Sequence, residues 1–274
     1  MSRIWLNDRL VDHEQARVRA DDHGLTVGDG VFETLKVTGG QAFARTRHLD
    51  RLTRSARGLG LPDPDLDLVR RACDEVLRAN PLPGVGRLRI TYTGGPAPFG
   101  SERGEVRPTL LVALGPGKDR GPTTAAVTVP WTRNENAPTA GLKTTSYADN
   151  VVMLAHATQR GATEALFANT AGNLCEGTGS NVFVVLDGRV VTPPLSAGCL
   201  AGVSRALILE WLGGEEIDVP LSVLADADEV FLTGSLRDVQ GVHRIDDRTL
   251  VAPGPVTRKA IEVFAARAAA DIDP

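Results

Sequence analysis

The stretch GLKTTSYADNVVMLAHATQRGATEALFANTAGNLCEGTGSNVFVV, residues 141–185, decides the fold. Its first half places Lys143 just ahead of apolar residues at helical spacing, Ala148, Val151, Val152 and Ala155, and Gly161 ends that pattern as a C′ residue would. This predicts a helix with Lys143 at its entrance. The second half predicts a strand over 164–169, a turn through Ala171, Gly172 and Asn173, and a buried strand over 182–186 closed by the hairpin dipeptide Asp187-Gly188. Glu176 falls where the turn rejoins the sheet. A lysine and a carboxylate that are both buried are costly unless something charged lies between them, which points to a cofactor.

Outward from that stretch, 274 residues are many for one core and comfortable for two. A net charge of −4 lacks the basic excess that a phosphate backbone requires, so nucleic acid is not an expected partner. The start MSRIWLNDRL has none of the zones of a signal peptide, and no apolar run reaches the ~18 residues of a membrane span. A cytoplasmic protein with no membrane partner is expected. Cys73, Cys175 and Cys199 are odd in number and never spaced C-x-x-C, which predicts reduced thiols and no metal site.

Upstream, alternating runs predict strands over 4–6, 10–11, 31–37, 41–44, 86–93 and 109–114. Helices are expected through Leu49, Leu52, Ala56 and Leu59, with Arg51 off that apolar stripe, and over 66–79. GGPAPFGSERGEVRP, between the last two strands, reads as a loop that covers a site. GPGKDRGP reads as a linker, giving a small N-terminal α/β domain at 1–115, a linker at 116–122 and a larger domain at 123–274 that carries Lys143. Downstream come a helix over 203–212 ended by Gly213-Gly214, a strand over 229–233, a turn at Gly234-Ser235 and a final helix over 257–270. The fold class is α/β in the α+β sense.

GTGSN (177–181) lacks the third glycine of a dinucleotide fingerprint, and GPGKDR (115–120) lacks the spacing of a P-loop. GVSRA (202–206) is one glycine short of a nucleophile elbow, which leaves a serine hydrolase built on Ser204 and His243 as a remote rival.

Taken in order, GDGVFE (28–33), HLDRL (48–52), GLK (141–143), EGTGSNVF (176–183), LAGVSR (200–205) and EVFLTGS (229–235) resemble the class IV aminotransferases. This fold-type-IV pyridoxal-phosphate family includes D-amino acid and branched-chain transaminases and aminodeoxychorismate lyases. The resemblance implies a β-barrel-like larger domain, a homodimer and pyridoxal 5′-phosphate. It also implies that Lys143 forms the Schiff base, Glu176 faces the pyridine nitrogen, Arg51 grips the phosphate, and Val203, Ser204 and Ser235 complete the phosphate cup.

The chemistry asks for the same parts. Of Lys36, Lys118, Lys143 and Lys259, the others fall on a hairpin strand, the linker and a terminal helix, which leaves Lys143 as the amine. A carboxylate must keep the ring nitrogen protonated, and a dianionic phosphate suits the helix mouth at Gly202-Val203-Ser204. The substrate-side candidates are Phe32, Glu33, Thr93, Tyr147 and Arg237. D-amino acid transaminases carry a carboxylate-binding arginine after a strand threonine, whereas ITYTGG offers only Thr93. Branched-chain enzymes have their tyrosine five residues after the lysine, whereas Tyr147 is four after Lys143. TGSLRDVQGV (233–242) offers Arg237 as a replacement carboxylate ligand. The expected activity is transamination between small amino and 2-oxo acids, with D-amino acids as donors and aminodeoxychorismate lyase as the alternative.

Overall fold

The computed structural model describes residues 2–118 and 120–274; Met1 and Asp119, the latter part of the expected linker, lie outside the described residues. Two compact units form. One holds residues 2–118 with Leu142–Ser146 and Ile272–Pro274, the other Arg120–Gly141 with Tyr147–Asp271.

In the first unit, β1 (Arg3–Leu6), β2 (Arg9–Asp12), β3 (Gly30–Thr38), β4 (Gln41–Ala42), β5 (Gly86–Thr93) and β6 (Thr109–Pro116) make an antiparallel sheet in the order β2-β1-β6-β5-β3-β4. Its helices are α1 (His23–Thr26), α2 (Arg45–Gly58) and α3 (Leu66–Ala79). Strand alternation puts Val31, Glu33, Leu35 and Val37 on one face of β3, and all are buried. The three apolar ones pack with Leu49, Leu52 and Ala56 of α2 and with Val69, Cys73 and Val76 of α3. Glu33 is therefore carried into an apolar interior by the pleat. The opposite face carries Phe32 and, from β5, Arg89, whose partner in the ladder is Thr34.

The second unit contains β7 (Thr123–Thr128), β8 (Glu164–Ala168), β9 (Leu174–Gly177), β10 (Asn181–Leu186), β11 (Arg189–Thr192), β12 (Glu215–Glu216), β13 (Glu229–Gly234), β14 (Asp238–Ile245) and β15 (Arg248–Thr249). The path β12-β11-β10-β13-β14-β7-β8-β9 ends on two different strands, a half-barrel where a barrel-like domain was expected; β15 pairs with β14. The pairs β11/β12, β14/β7 and β7/β8 are parallel. Around this sheet lie α4 (Ala148–Gln159), α5 (Val203–Leu212) and α6 (Pro255–Ala270).

Two expectations are corrected. Lys143 is neither at a helix entrance nor in the second unit: Thr144 bridges Val31 and the Phe32 amide donates to Lys143 O at 3.0 Å, so the segment is an extended appendage of β3. Helix α4 starts only at Ala148, after Tyr147 at its N-cap. Its apolar stripe also faces outward. Val151 and Val152 are 65% and 56% exposed, because Asn150, Met153 and Ala157 occupy the side toward the core around β8.

Candidate active site

In the first unit a buried polar cluster grows from α2. His48, Arg51 and Ser55 stand on one helix face at spacings of three and four, and that face meets Glu33. Arg51 Nε and Nη2 donate to the two Glu33 oxygens at 2.8 and 2.7 Å, and His48 Nδ1 lies 2.6 Å from Glu33 Oε2. Burial alone would raise the Glu33 pKa, yet the Arg51 charge and fork, then His48, hold the carboxyl well below the usual carboxylate range. His48 is pushed down by burial, with Glu33 opposing and the charges of Arg51 and Lys143 adding to the shift, so its imidazole is neutral and Nδ1–H donates to the carboxylate.

Ser55 Oγ accepts the Lys143 amide at 3.2 Å, so the Lys143 backbone is bonded on both sides. The amine lies 4.4 Å from the centre of the Phe32 ring, and the Arg89 guanidinium carbon lies 3.3 Å from the same centre. The Lys143 amine and the Arg89 guanidinium thus share one buried aromatic ring. Thr93 is spent elsewhere: its hydroxyl donates to Asp22 Oδ1 at 2.8 Å, while Thr109 donates to Asp22 Oδ2 at 2.6 Å. The loop at 94–108 is pinned, since Arg103 forks onto Asp29 at 2.7 Å through both Nε and Nη2.

In the second unit Glu176 is 8% exposed on β9. The Leu200 amide donates to its Oε2 at 3.0 Å, Asn181 Nδ2 lies 3.5 Å from the same oxygen, and Arg133 Nη2 is 3.6 Å from Oε1. Two donors on Oε2 and a cation beside Oε1 favour a carboxylate there. Asn181 also fixes the mouth of α5. A side chain at Gly202 would put its Cβ 2.0 Å from Asn181 Oδ1 and would displace that amide, and no side chain caps the helix. Val203 and Ser204 are buried in the first turn. Thr233, opposite Asn181 in the ladder, has a buried hydroxyl without a hydrogen-bond partner among the described residues, and Ser235 lies in the turn that follows. Arg237 does not reach out as a ligand: Nη2 donates to Glu164 Oε2 at 3.1 Å and to Thr163 O at 3.0 Å, and Nη1 donates to Gln240. Ser204 and His243 share no hydrogen bond; His243 pairs with Thr123 at 3.1 Å, which removes the hydrolase reading.

A family model for amino-transferase class IV matches residues 30–245. The chain belongs to the class IV aminotransferases. A Methanocaldococcus jannaschii protein with the provisional name branched-chain-amino-acid aminotransferase is 32% identical over 96% of this chain and 95% of its own. The bifunctional aminodeoxychorismate lyase / D-amino acid transaminase of Mycobacterium tuberculosis is 32% identical over 90% and 92%. A hypothetical aminotransferase from Mycobacterium tuberculosis, solved in its PLP-bound form, superposes with a TM-score of 0.86 at 29% identity, covering 97% of this chain and 98% of that one. As a class IV aminotransferase, the chain uses pyridoxal phosphate.

Its residues fit that group. The uncapped α5 mouth, the close approach at Gly202 and the unpartnered Thr233 hydroxyl suit an anion, and the Glu176 carboxylate, beside donors and Arg133, suits a protonated ring nitrogen. Sequence reasoning missed Arg89, Arg133 and His48. Arg89 had a legible signal, an arginine in an apolar strand two positions from the β3–β5 register of Phe32, but Arg133 and His48 are recognisable only by what they touch.

Proposed function

We propose that this aminotransferase moves the amino group of an amino acid, by preference a D-amino acid, to a 2-oxo acid. The reading is carried by Phe32, whose ring holds the Lys143 amine and the Arg89 guanidinium together, a base and a carboxylate-binding cation. When bound, pyridoxal phosphate supplies an aldehyde for an amine and a ring that draws electron density from the substrate's α-carbon. Lys143 Nζ would hold the group through its aldehyde carbon and, once freed by the substrate amine, would take the proton from the substrate's α-carbon and deliver it to that former aldehyde carbon, leaving the amino group on the cofactor and the substrate as a 2-oxo acid. Glu176 holds the proton on the ring nitrogen. Arg51, Val203, Ser204 and Ser235 bind the phosphate, while Arg89 takes a substrate carboxylate, the task expected of Arg237. Phe32 and Tyr147 support the substrate side; Glu33 acts on the phosphate side, through Arg51, and Thr93 is committed to Asp22.

A homodimer is supported by the outward apolar face of α4, where Val151, Val152 and Leu154 are 65%, 56% and 40% exposed. No helix among the described residues is long and apolar enough to cross a membrane. Aminodeoxychorismate lyase remains the second reading, favoured by the bifunctional Mycobacterium tuberculosis relative. The test is turnover of D-alanine and of L-leucine with 2-oxoglutarate, and separately of aminodeoxychorismate. Faster turnover of L-leucine than of D-alanine would overturn the donor preference. Arg89→Ala should raise the KM for 2-oxoglutarate about tenfold or more, the loss expected of one charge-assisted pair.

A further inference from the structure

The buried ion pair between Arg237 and Glu164 has no part in the chemistry above. Both side chains are almost wholly buried, 5% and 1% exposed, in a setting where an apolar pair of similar volume is often as stable. What sets the pair apart is where its remaining bonds go. Glu164 Oε1 accepts from the Thr178 hydroxyl and Oε2 from the Ser180 hydroxyl at 2.8 Å. A Cβ on Gly177 would lie 3.0 Å from the Glu164 carboxyl carbon, so the turn at 177–180 rests directly on the carboxylate. This turn follows Glu176 and leads into Asn181. On the other side, the Arg237 amide closes its own turn on Gly234 O at 2.9 Å, and that turn carries Ser235. The Arg237 guanidinium is held in place by Gln240, whose Nε2 donates to Arg120 O at 2.6 Å and Gly121 O at 3.0 Å.

We propose that Glu164 and Arg237 are positioning residues, a buried clamp that holds the Glu176 turn and the Ser235 turn in one register for the cofactor. Thr178 and Ser180 transmit the clamp to Glu176, and the backbone of Arg237 transmits it to Ser235. Neither charged residue touches the cofactor. The clamp sets how well the anchors are pre-organised, so its loss appears as weaker cofactor binding beyond any loss of stability.

Two variants test this on the full-length protein, reading the pyridoxal-phosphate dissociation constant, the thermal midpoint without cofactor, and the pH dependence of the bound cofactor's absorbance. Glu164→Gln/Arg237→Met removes both charges at similar volume, so the cofactor-free midpoint should stay near wild type while the dissociation constant rises about tenfold. Thr178→Val removes one hydroxyl and leaves the ion pair intact; it should weaken binding by roughly threefold or more, with a displaced absorbance titration. If both variants keep wild-type affinity and titration, or lose affinity only in proportion to stability, the pair is structural and the proposal is overturned. Should the double variant not fold, Thr178→Val decides on the same criteria. The proposal rests on Glu176 and Ser235 holding the cofactor: unchanged affinity in Ser235→Ala together with an unchanged absorbance titration in Glu176→Gln would break that assignment instead.

Discussion

Arg51 forks onto Glu33 through Nε and Nη2 at 2.8 and 2.7 Å, inside the core between β3 and α2. Arg51→Ala therefore acts beyond the phosphate role proposed for Arg51. It leaves a carboxylate buried without its cation, which costs about 3–5 kcal/mol. The urea midpoint of the cofactor-free protein should fall along with cofactor affinity, and Glu33→Gln/Arg51→Met should recover most of the midpoint. Loss of affinity at an unchanged midpoint would mean that the fork does not support the core.

Acid should destabilise the same cluster in two stages. His48 has a folded pKa below its ordinary 6.5, so the unfolded chain binds the proton first; the neutral imidazole's contribution is full above that value and is lost as pH falls below it. Glu33, held below its ordinary 4.5, loses its contribution only at lower pH. Thermal midpoints from pH 8 to 4 should drop first just below pH 6.5 in wild type, and His48→Asn should flatten that first step.

Borohydride reduction of the purified yellow protein should fix the cofactor to one peptide, and mass mapping should place it on Lys143. Lys143→Ala should still bind pyridoxal phosphate through the phosphate site, because binding and proton transfer rest on different groups. A label on Lys36 or Lys259 would remove Lys143 from the chemistry.

Glu176→Gln keeps an oxygen for the Leu200 amide but loses the charge proposed to keep the ring nitrogen protonated. The barrier should rise by several kcal/mol, lowering the rate of the amino-acid half-reaction by roughly two to three orders of magnitude. Stopped-flow absorbance with a D-amino acid measures this, in protein shown to retain cofactor. Rates within about threefold of wild type would leave Glu176 as a strand residue only.

The sequence by itself determined most local elements and the candidates for the chemistry. The ranges 66–79, 86–93 and 203–212 agree with α3, β5 and α5 end to end, because period, caps and flanking glycine or proline are local and need no partner. Lys143 could be singled out as a candidate because only four lysines are available, whereas Glu176 is one of several carboxylates buried on strands, with Glu33, Glu164 and Glu229. Only the tertiary structure decided which faces meet. Periodicity says which residues of α4 share a face, but Met153 and Ala157 won the core and Val151 and Val152 were left outside. Arg237 pairs with a carboxylate 73 residues away, brought within reach because β7 lies parallel between β14 and β8. Such a pairing is set by strand order, which depends on how whole sheets bury their apolar faces and leaves no mark in the residues next to Arg237.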